Sequence, residues 1–198
     1  MDTRNPLLET RRLRIRPIEK DDLEEVFSII FSDPKIQARI TKSVGSLDQI
    51  KNHFAARYIG RSDGYGYRVI IHKETNNIIG LIGFKPHSSK FNRPLSIGRD
   101  TDLILLEKEL CQAELIYVLP SQFKGEGFTI EAARAMVAHG FQDLNLFRIV
   151  KAVHRGSKNS FLSMSRLGFR IVTPPRAQSK AEQSQSDIIG LLECYRDF

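Results

Sequence analysis

One segment in the second half of the chain has the residue types of an anion-binding turn. An apolar, strand-like stretch ends at Pro120, and the pattern Gln122-x-x-Gly125-x-Gly127 follows it directly before a long amphipathic stretch. Two glycines open backbone conformations that are closed to other residues, so such a turn can aim several N–H groups at one point. A helix start adds unpaired N–H donors and a partial positive charge, and Lys124 adds a formal charge. The pattern indicates a phosphate or pyrophosphate site.

The turn differs from the two common nucleotide-binding loops. It lacks the Gly-Lys-Ser/Thr ending of a P-loop, and it has two glycines where a Rossmann turn has three. Because Gly-x-Gly is common, the spacing alone also allows a plain helix-entry turn.

The elements around this turn predict a mixed α/β fold. Period-two alternation and turn residues predict strands at Leu13–Pro17, Tyr67–His72, Ile78–Phe84, Ala113–Leu119, Arg148–Val153 and Ile188–Cys194. Apolar residues spaced three and four apart predict helices that begin at Asp21, Leu47, Phe128 and Ser157 and end near Asp33, Tyr58, Leu144 and Leu167. A strand-helix-strand unit in the second half implies some parallel pairing. Residues 85–112 and 173–186 are expected to be long connections.

The composition is that of a globular chain. Of its 198 residues, 41% are hydrophobic and 27% are charged, which indicates one folded domain. No apolar run approaches the ~18 residues of a membrane-spanning helix, and the N-terminal residues lack the apolar stretch of a signal peptide. Two cysteines cannot form a disulfide framework or a cysteine-rich zinc site. We therefore expect a cytoplasmic protein that does not bind membranes.

Four stretches carry a resemblance to a known family. The glycine turn resembles the acetyl-CoA motif of the GNAT superfamily of N-acetyltransferases. Leu8–Pro17 resembles the opening strand of its Rim-type group, the ribosomal-protein N-terminal acetyltransferases, and Ala113–Tyr117 resembles their fourth strand. Ser160–Phe169 resembles their last helix and its exit. The stretches span nearly the whole chain in the order of the family.

The resemblance implies a fold and a cofactor site. The expected fold is one N-acetyltransferase domain over residues 1–198, with a central mixed sheet of about seven strands that splays between strands 4 and 5 and is flanked by helices. Acetyl-CoA would enter the splay, with the backbone of Tyr117 and Val118 on its pantetheine and acetyl carbonyl. Its pyrophosphate would bind Gln122, Phe123, Lys124, Gly125, Glu126, Gly127 and Phe128, with Thr129 just inside the helix. Asn159 is a candidate for pantetheine, because Ser157 occupies the position where the family usually has asparagine.

The implied reaction is transfer of the acetyl group to a primary amine by direct attack in a ternary complex. An α-amine with a pKa of about 7.7–8.0 costs roughly 1 kcal/mol to neutralise at pH 7, whereas a lysine amine costs roughly 4.6 kcal/mol. We expect a protein or peptide N-terminal α-amine as the acceptor. The backbone N–H near Val118 would donate to the oxyanion.

Two side chains are candidates for proton transfer. Glu114 shares a strand face with Ile116 and Val118, so its carboxylate could serve as the base. The alternative for Glu114 is a structural pairing with an arginine. Ser160 is the candidate on the leaving-group side, with a helix cap as its alternative. Many related transferases have a tyrosine at the position of Met164, which cannot donate a proton.

Other interpretations remain open at this stage. The acceptor could be a small amine such as an aminoglycoside or a polyamine, because acceptor choice depends on loops, here 33–46, 60–66 and 85–112. The net charge of +7 also prompts a non-enzymatic nucleic-acid-binding protein, although no aromatic-basic interleaving supports it. The resemblance allows association with the ribosome, and the expected state is a monomer or a homodimer.

Two further expectations concern charged and metal-binding side chains. The five histidines have no ligand spacing, so no metal site is expected. Arg12, Arg14 and Arg16 alternate along the first strand, and their face is expected to be solvated or to attract an acidic protein.

Overall fold

The computed structural model describes residues 4–34, 36, 47–59, 61, 63–86, 112–153, 158–172 and 188–193. Its strands are β1 (Leu8–Glu9), β2 (Leu13–Pro17), β3 (Gly66–His72), β4 (Ile78–Pro86), β5 (Gln112–Val118), β6 (Arg148–Val153), β7 (Arg170–Val172) and β8 (Ile188–Glu193). Its helices are α1 (Leu23–Phe31), α2 (Leu47–Tyr58), α3 (Phe128–Gln142) and α4 (Lys158–Arg166), and short 3-10 helices cover Lys20–Asp22 and Ser121–Phe123. The predicted mixed α/β fold is confirmed.

All the predicted strands and helices are present, with ends that agree to within two residues. The sequence analysis missed β1 and β7, because two and three residues are too few to show an alternating pattern. Residues 87–111 of the first long connection, all of the connection 173–186 and most of the loop 33–46 lie outside the described residues.

The strands form one sheet in the order β1-β2-β3-β4-β5-β6-β8-β7. Eight strands among the described residues compare with about seven expected. The parallel ladder between β5 and β6, which correspond to strands 4 and 5 of the implied fold, has three register pairs, from Gln112–Arg148 to Glu114–Val150. Both strands continue beyond this ladder, β5 to Val118 and β6 to Val153.

The chain divides into two compact units that are each discontinuous in sequence. The first contains Met1–Lys85 and Ile116–His139, and the second contains Pro86–Leu115 and Gly140–Phe198. That all 198 residues act as a single domain stays a prediction.

In the first unit, β3 has helices on both faces. On one face, Val69 and Ile71 belong to a buried cluster with apolar residues of α1 and β4. On the other face, alternate residues contact the two ends of α3. The His72 ring lies 5.3 Å from the Phe128 ring at the helix start, and buried Arg68 approaches buried His139, Nη2 to Nε2, at 3.2 Å near the helix end. These contacts set α3 along β3, with its first turn beside the start of β2.

In the second unit, β8 lies between β6 and β7 and pairs antiparallel with both. The helix α4 ends at Arg166, within one residue of the predicted end, and Gly168 follows it with a left-handed φ of 82°. The N–H of Phe169 donates to the carbonyl of Met164 at 3.0 Å, which closes the last turn, and both side chains are buried.

Candidate functional site

The predicted glycine turn is a tight loop between β5 and α3. We call Ser121–Gly127 the glycine loop. It begins with the 3-10 helix Ser121–Phe123, and both glycines adopt left-handed φ angles, 94° at Gly125 and 83° at Gly127. A side chain at either position would be strained, which is the physical reason for glycine there. Apart from half-buried Phe123, the residues of the loop are exposed.

The N–H groups of this segment divide into two sets. Those of Phe123 and Lys124 donate to the carbonyls of Pro120 and Ser121, both at 3.1 Å, so they already have acceptors within the turn. The first helical bond runs from the Glu131 N–H to the Gly127 carbonyl at 3.0 Å. The three N–H groups before it have no acceptor within the helix; they belong to Phe128, Thr129 and Ile130. The N–H groups from Gly125 to Ile130 bond to no acceptor in the turn or the helix and are suited to an anion, which adds Ile130 to the predicted residues. The predicted cofactor contacts stay predictions.

Side chains from the N-terminal part of the chain anchor the glycine loop at both ends. The Ser121 N–H donates to Oδ2 of Asp33 at 2.7 Å, and Asp33 is only 5% exposed. At the other end, Nη2 of Arg12 donates to the Glu126 carbonyl at 2.9 Å. The loop is therefore bonded to the N-terminal part of the chain before Gly125 and again between its two glycines.

The carboxylate of Glu131, in the first turns of α3, binds the segment before β2. Oε1 of Glu131 accepts from the Thr10 hydroxyl at 2.6 Å and from the Arg12 N–H at 2.8 Å, and Oε2 accepts from Arg12 Nε at 2.7 Å. The guanidinium carbon of Arg12 also lies 4.3 Å from the centre of the Phe128 ring. Sequence analysis missed Thr10, Arg12 and Glu131 as a group.

The three arginines whose face was expected to be solvated or to attract an acidic protein are half-exposed, and each of them also bonds within the chain. Arg12 makes the contacts above, and Arg14 donates to Asn76. Arg16 binds both carboxylate oxygens of Asp22, at 2.6 and 2.7 Å.

Hydrogen bonding stabilises the ionised form of Glu131. Burial raises the pKa of Glu131, but the hydrogen bonds from Thr10 and Arg12 outweigh burial and hold the pKa below its ordinary value. Glu131 therefore remains a carboxylate at neutral pH.

The end of β5 lies directly against β4. A Cβ atom at Gly80 would lie 2.6 Å from the Val118 carbonyl oxygen and 2.6 Å from Leu119 Cδ1. Glycine at position 80 therefore permits the close approach that sets the Val118 backbone. The Val118 side chain packs against the core of the first unit, and Tyr117 before it is half-buried.

The remaining candidates lie in the second unit. Glu114 is half-buried in β5, in register with Val150. Asn159 and Ser160 are the second and third residues of α4, so Ser160 is not the N-cap of this helix. Their roles, and that of Glu114, stay predictions. Met164 is 1% exposed, in keeping with a packing role.

Among the described residues, no group of three or more His, Cys, Asp and Glu side chains could hold a metal ion. Within the same part of the chain, no helix is long and apolar enough to cross a membrane.

Comparison with known proteins places this geometry in a family. The family model described as "Acetyltransferase (GNAT) domain" matches residues 12–170. The protein "Uncharacterized N-acetyltransferase YoaA" of Bacillus subtilis (strain 168) is 27% identical over 169 residues, which are 83% of this chain and 83% of that protein.

Two solved structures share the fold. The RimL ribosomal L7/L12 alpha-N-protein acetyltransferase in complex with coenzyme A superposes with a TM-score of 0.67 at 14% identity, over 95% of this chain and 98% of that one. The ribosomal-protein-S5-alanine acetyltransferase from Vibrio fischeri gives 0.64 at 16% identity, over 96% and 97%. At these identities the likeness is one of fold.

The lowered pKa of Glu131 predicts that the free energy of unfolding decreases at acidic pH. Because folding lowers this pKa, the contribution of the carboxylate is complete above the ordinary value of 4.5 and is lost as the pH falls below it. Glu131→Gln should reduce the free energy of unfolding at pH 7 by about 1 kcal/mol. It should also make the decline in acid shallower. Chemical denaturation at several pH values measures both effects.

Glu24→Gln is the matched control, since Glu24 pairs with Lys51 at 2.7 Å but its side chain is 83% exposed. Its effect should be small at every pH. An acid decline in Glu131→Gln as steep as that of the unmodified protein would contradict the assignment.

Proposed function

The chain belongs to the GNAT family of acetyltransferases and is an N-acetyltransferase, and from that premise we propose that it transfers the acetyl group of acetyl-CoA to a protein or peptide N-terminal α-amine. The observation that carries the acetyl-CoA assignment is the set of N–H donors from Gly125 to Ile130 at the start of α3. A diphosphate presents several oxygens to such a set, and the helix start favours its negative charge. The exposed Lys124 can add a formal positive charge.

The reaction needs no covalent intermediate on the protein. The neutral amine nitrogen attacks the thioester carbonyl carbon, and an oxyanion forms. The carbon–sulfur bond then breaks, CoA leaves as thiolate, and the new amide nitrogen gives up its proton. In this proposal the backbone N–H near Val118 donates to the oxyanion, and Glu114 accepts the proton from nitrogen directly or through water. The Ser160 hydroxyl donates a hydrogen bond to the leaving thiolate.

Two arguments support an N-terminal acceptor. An α-amine is cheaper to neutralise than a lysine amine by roughly 3.6 kcal/mol at pH 7, so a single half-buried carboxylate is a sufficient base. The two solved neighbours described above are named for acetylation of ribosomal proteins, one of them at an α-amine. On the same grounds we propose ribosomal proteins as the first substrates to test.

Acetyl transfer across a panel of amines tests the proposed acceptor. Mass spectrometry should detect one added acetyl group at the α-amine of peptides that carry ribosomal-protein N-termini. The same peptides with a blocked N-terminus and a free lysine should remain unmodified. Acetylation of an aminoglycoside or a polyamine, with no peptide modified, would replace the proposed acceptor by a small molecule.

Glu114→Gln tests the proposed base. The variant should lower kcat at least about tenfold, since a positioned base contributes about 10²–10⁴ in rate. The Kd for acetyl-CoA should stay within about twofold, because the diphosphate donors lie elsewhere in the chain. Stopped-flow or steady-state kinetics and titration calorimetry give the two quantities.

Glu24→Gln is a useful comparison, because it removes a carboxylate of α1 that is 83% exposed and lies outside the proposed site, so it should spare kcat. Equal kcat values for Glu114→Gln and the unmodified protein would eliminate the role of Glu114.

A further inference from the structure

We propose that Arg12 is a positioning residue for the glycine loop, clamped between the Glu131 carboxylate and the Glu126 carbonyl so that the neighbouring N–H groups face a bound diphosphate. This inference rests on the proposed binding of acetyl-CoA and deepens it. It assigns a role in cofactor affinity to a residue outside the loop itself.

The contacts of Arg12 use the shape of its guanidinium as well as its charge. Nε binds Oε2 of Glu131 at 2.7 Å, while Nη2 binds the Glu126 carbonyl at 2.9 Å. The flat group also packs over the Phe128 ring. A lysine has one ammonium and no fixed fork, so it cannot reproduce the three contacts together.

Anchoring the Glu126 carbonyl sets the direction of the next N–H. In a trans peptide, the carbonyl of one residue and the N–H of the next point in opposite directions. With the Glu126 oxygen drawn toward Arg12, the Gly127 N–H faces away from Arg12. The anchor also keeps a carbonyl dipole from presenting its negative end to an anion.

The ion pair also removes an electrostatic conflict. Glu131 is the fourth residue of α3, where an unpaired carboxylate would oppose an anion at the helix start. The side chains of Arg12 and Glu131 are 29% and 18% exposed, so solvent screens their attraction less than it would on an open surface. Without Arg12, the carboxylate would repel the diphosphate.

The backbone before β2 holds Arg12 in place. The Thr10 N–H donates to the Leu13 carbonyl at 2.9 Å, and the Leu13 N–H donates to the Thr10 hydroxyl oxygen at 3.0 Å. The same hydroxyl binds Glu131. The short turn from Thr10 to Leu13 therefore presents Arg12 to α3 as part of one hydrogen-bonded group.

Arg12→Lys and Arg12→Gln test the proposal in the full chain. Calorimetry with CoA should show a Kd raised about tenfold in Arg12→Lys, which corresponds to about 1.4 kcal/mol, and raised further in Arg12→Gln. The KM for acetyl-CoA should rise in parallel, while kcat at saturation stays within about twofold. Arg14→Lys is the matched control, because Arg14 lies two residues further along the chain, in β2, and bonds to Asn76; the Kd of this variant should not change.

A double variant separates positioning from general loss of structure. Adding Glu131→Gln to Arg12→Gln removes the unpaired carboxylate, so CoA affinity should partly recover even though a further contact is lost. A purely structural role predicts the opposite, a further loss in affinity and in thermal stability together.

The binding results distinguish failure of the proposed function from failure of the proposed role of Arg12. If the unmodified protein binds no CoA, the proposed function is wrong and this inference falls with it. If the unmodified protein binds CoA and Arg12→Lys binds it equally well, only the role of Arg12 is wrong. Should Arg12→Gln fail to fold, the comparison of Arg12→Lys with Arg14→Lys still decides.

Discussion

The ion pair between Arg12 and Glu131 is the interaction on which the candidate site depends. It joins the start of β2 to the first turns of α3, and through the Glu126 carbonyl it reaches the glycine loop. The sheet sets this meeting point, because Leu13 pairs with His72 and His72 contacts the first residue of α3. Packing in the first unit therefore determines where the N–H donors face.

The proposed recognition of the diphosphate relies on backbone groups more than on net charge. The chain has a formal charge of +7, yet Arg12, Arg14 and Arg16 are bonded to acceptors within the chain. The donors from Gly125 to Ile130 belong to a loop end and a helix start, where the backbone has no other acceptor for them. Such donors are oriented before a ligand arrives, so binding need not order long side chains.

The strands, the helices and the glycine loop could be predicted from the sequence, because each of them has a local signal. Alternation, helical spacing and the two glycines are each read within a few residues. The pairing of Arg12 with Glu131 has no such signal, since the two residues are 119 positions apart. Period-two alternation also places Arg12 on an outward face. The bond from Ser121 to Asp33 likewise spans 88 positions. Pairing across such distances follows from the register of β2 on β3 and the packing of α3.

Binding of the diphosphate by the N–H groups at the start of α3 is tested most directly with ligands that keep or lack it. Titration calorimetry of the full protein with CoA, dephospho-CoA, 4′-phosphopantetheine and pantetheine separates the contributions of the 3′-phosphate, the adenosine-bearing phosphate and the phosphate on pantetheine. We predict that CoA and dephospho-CoA bind with similar Kd values and that pantetheine binds at least about a hundredfold more weakly, a difference of about 2.7 kcal/mol. 4′-phosphopantetheine should bind more tightly than pantetheine, although neither carries adenosine. Equal Kd values for pantetheine and CoA would contradict this prediction.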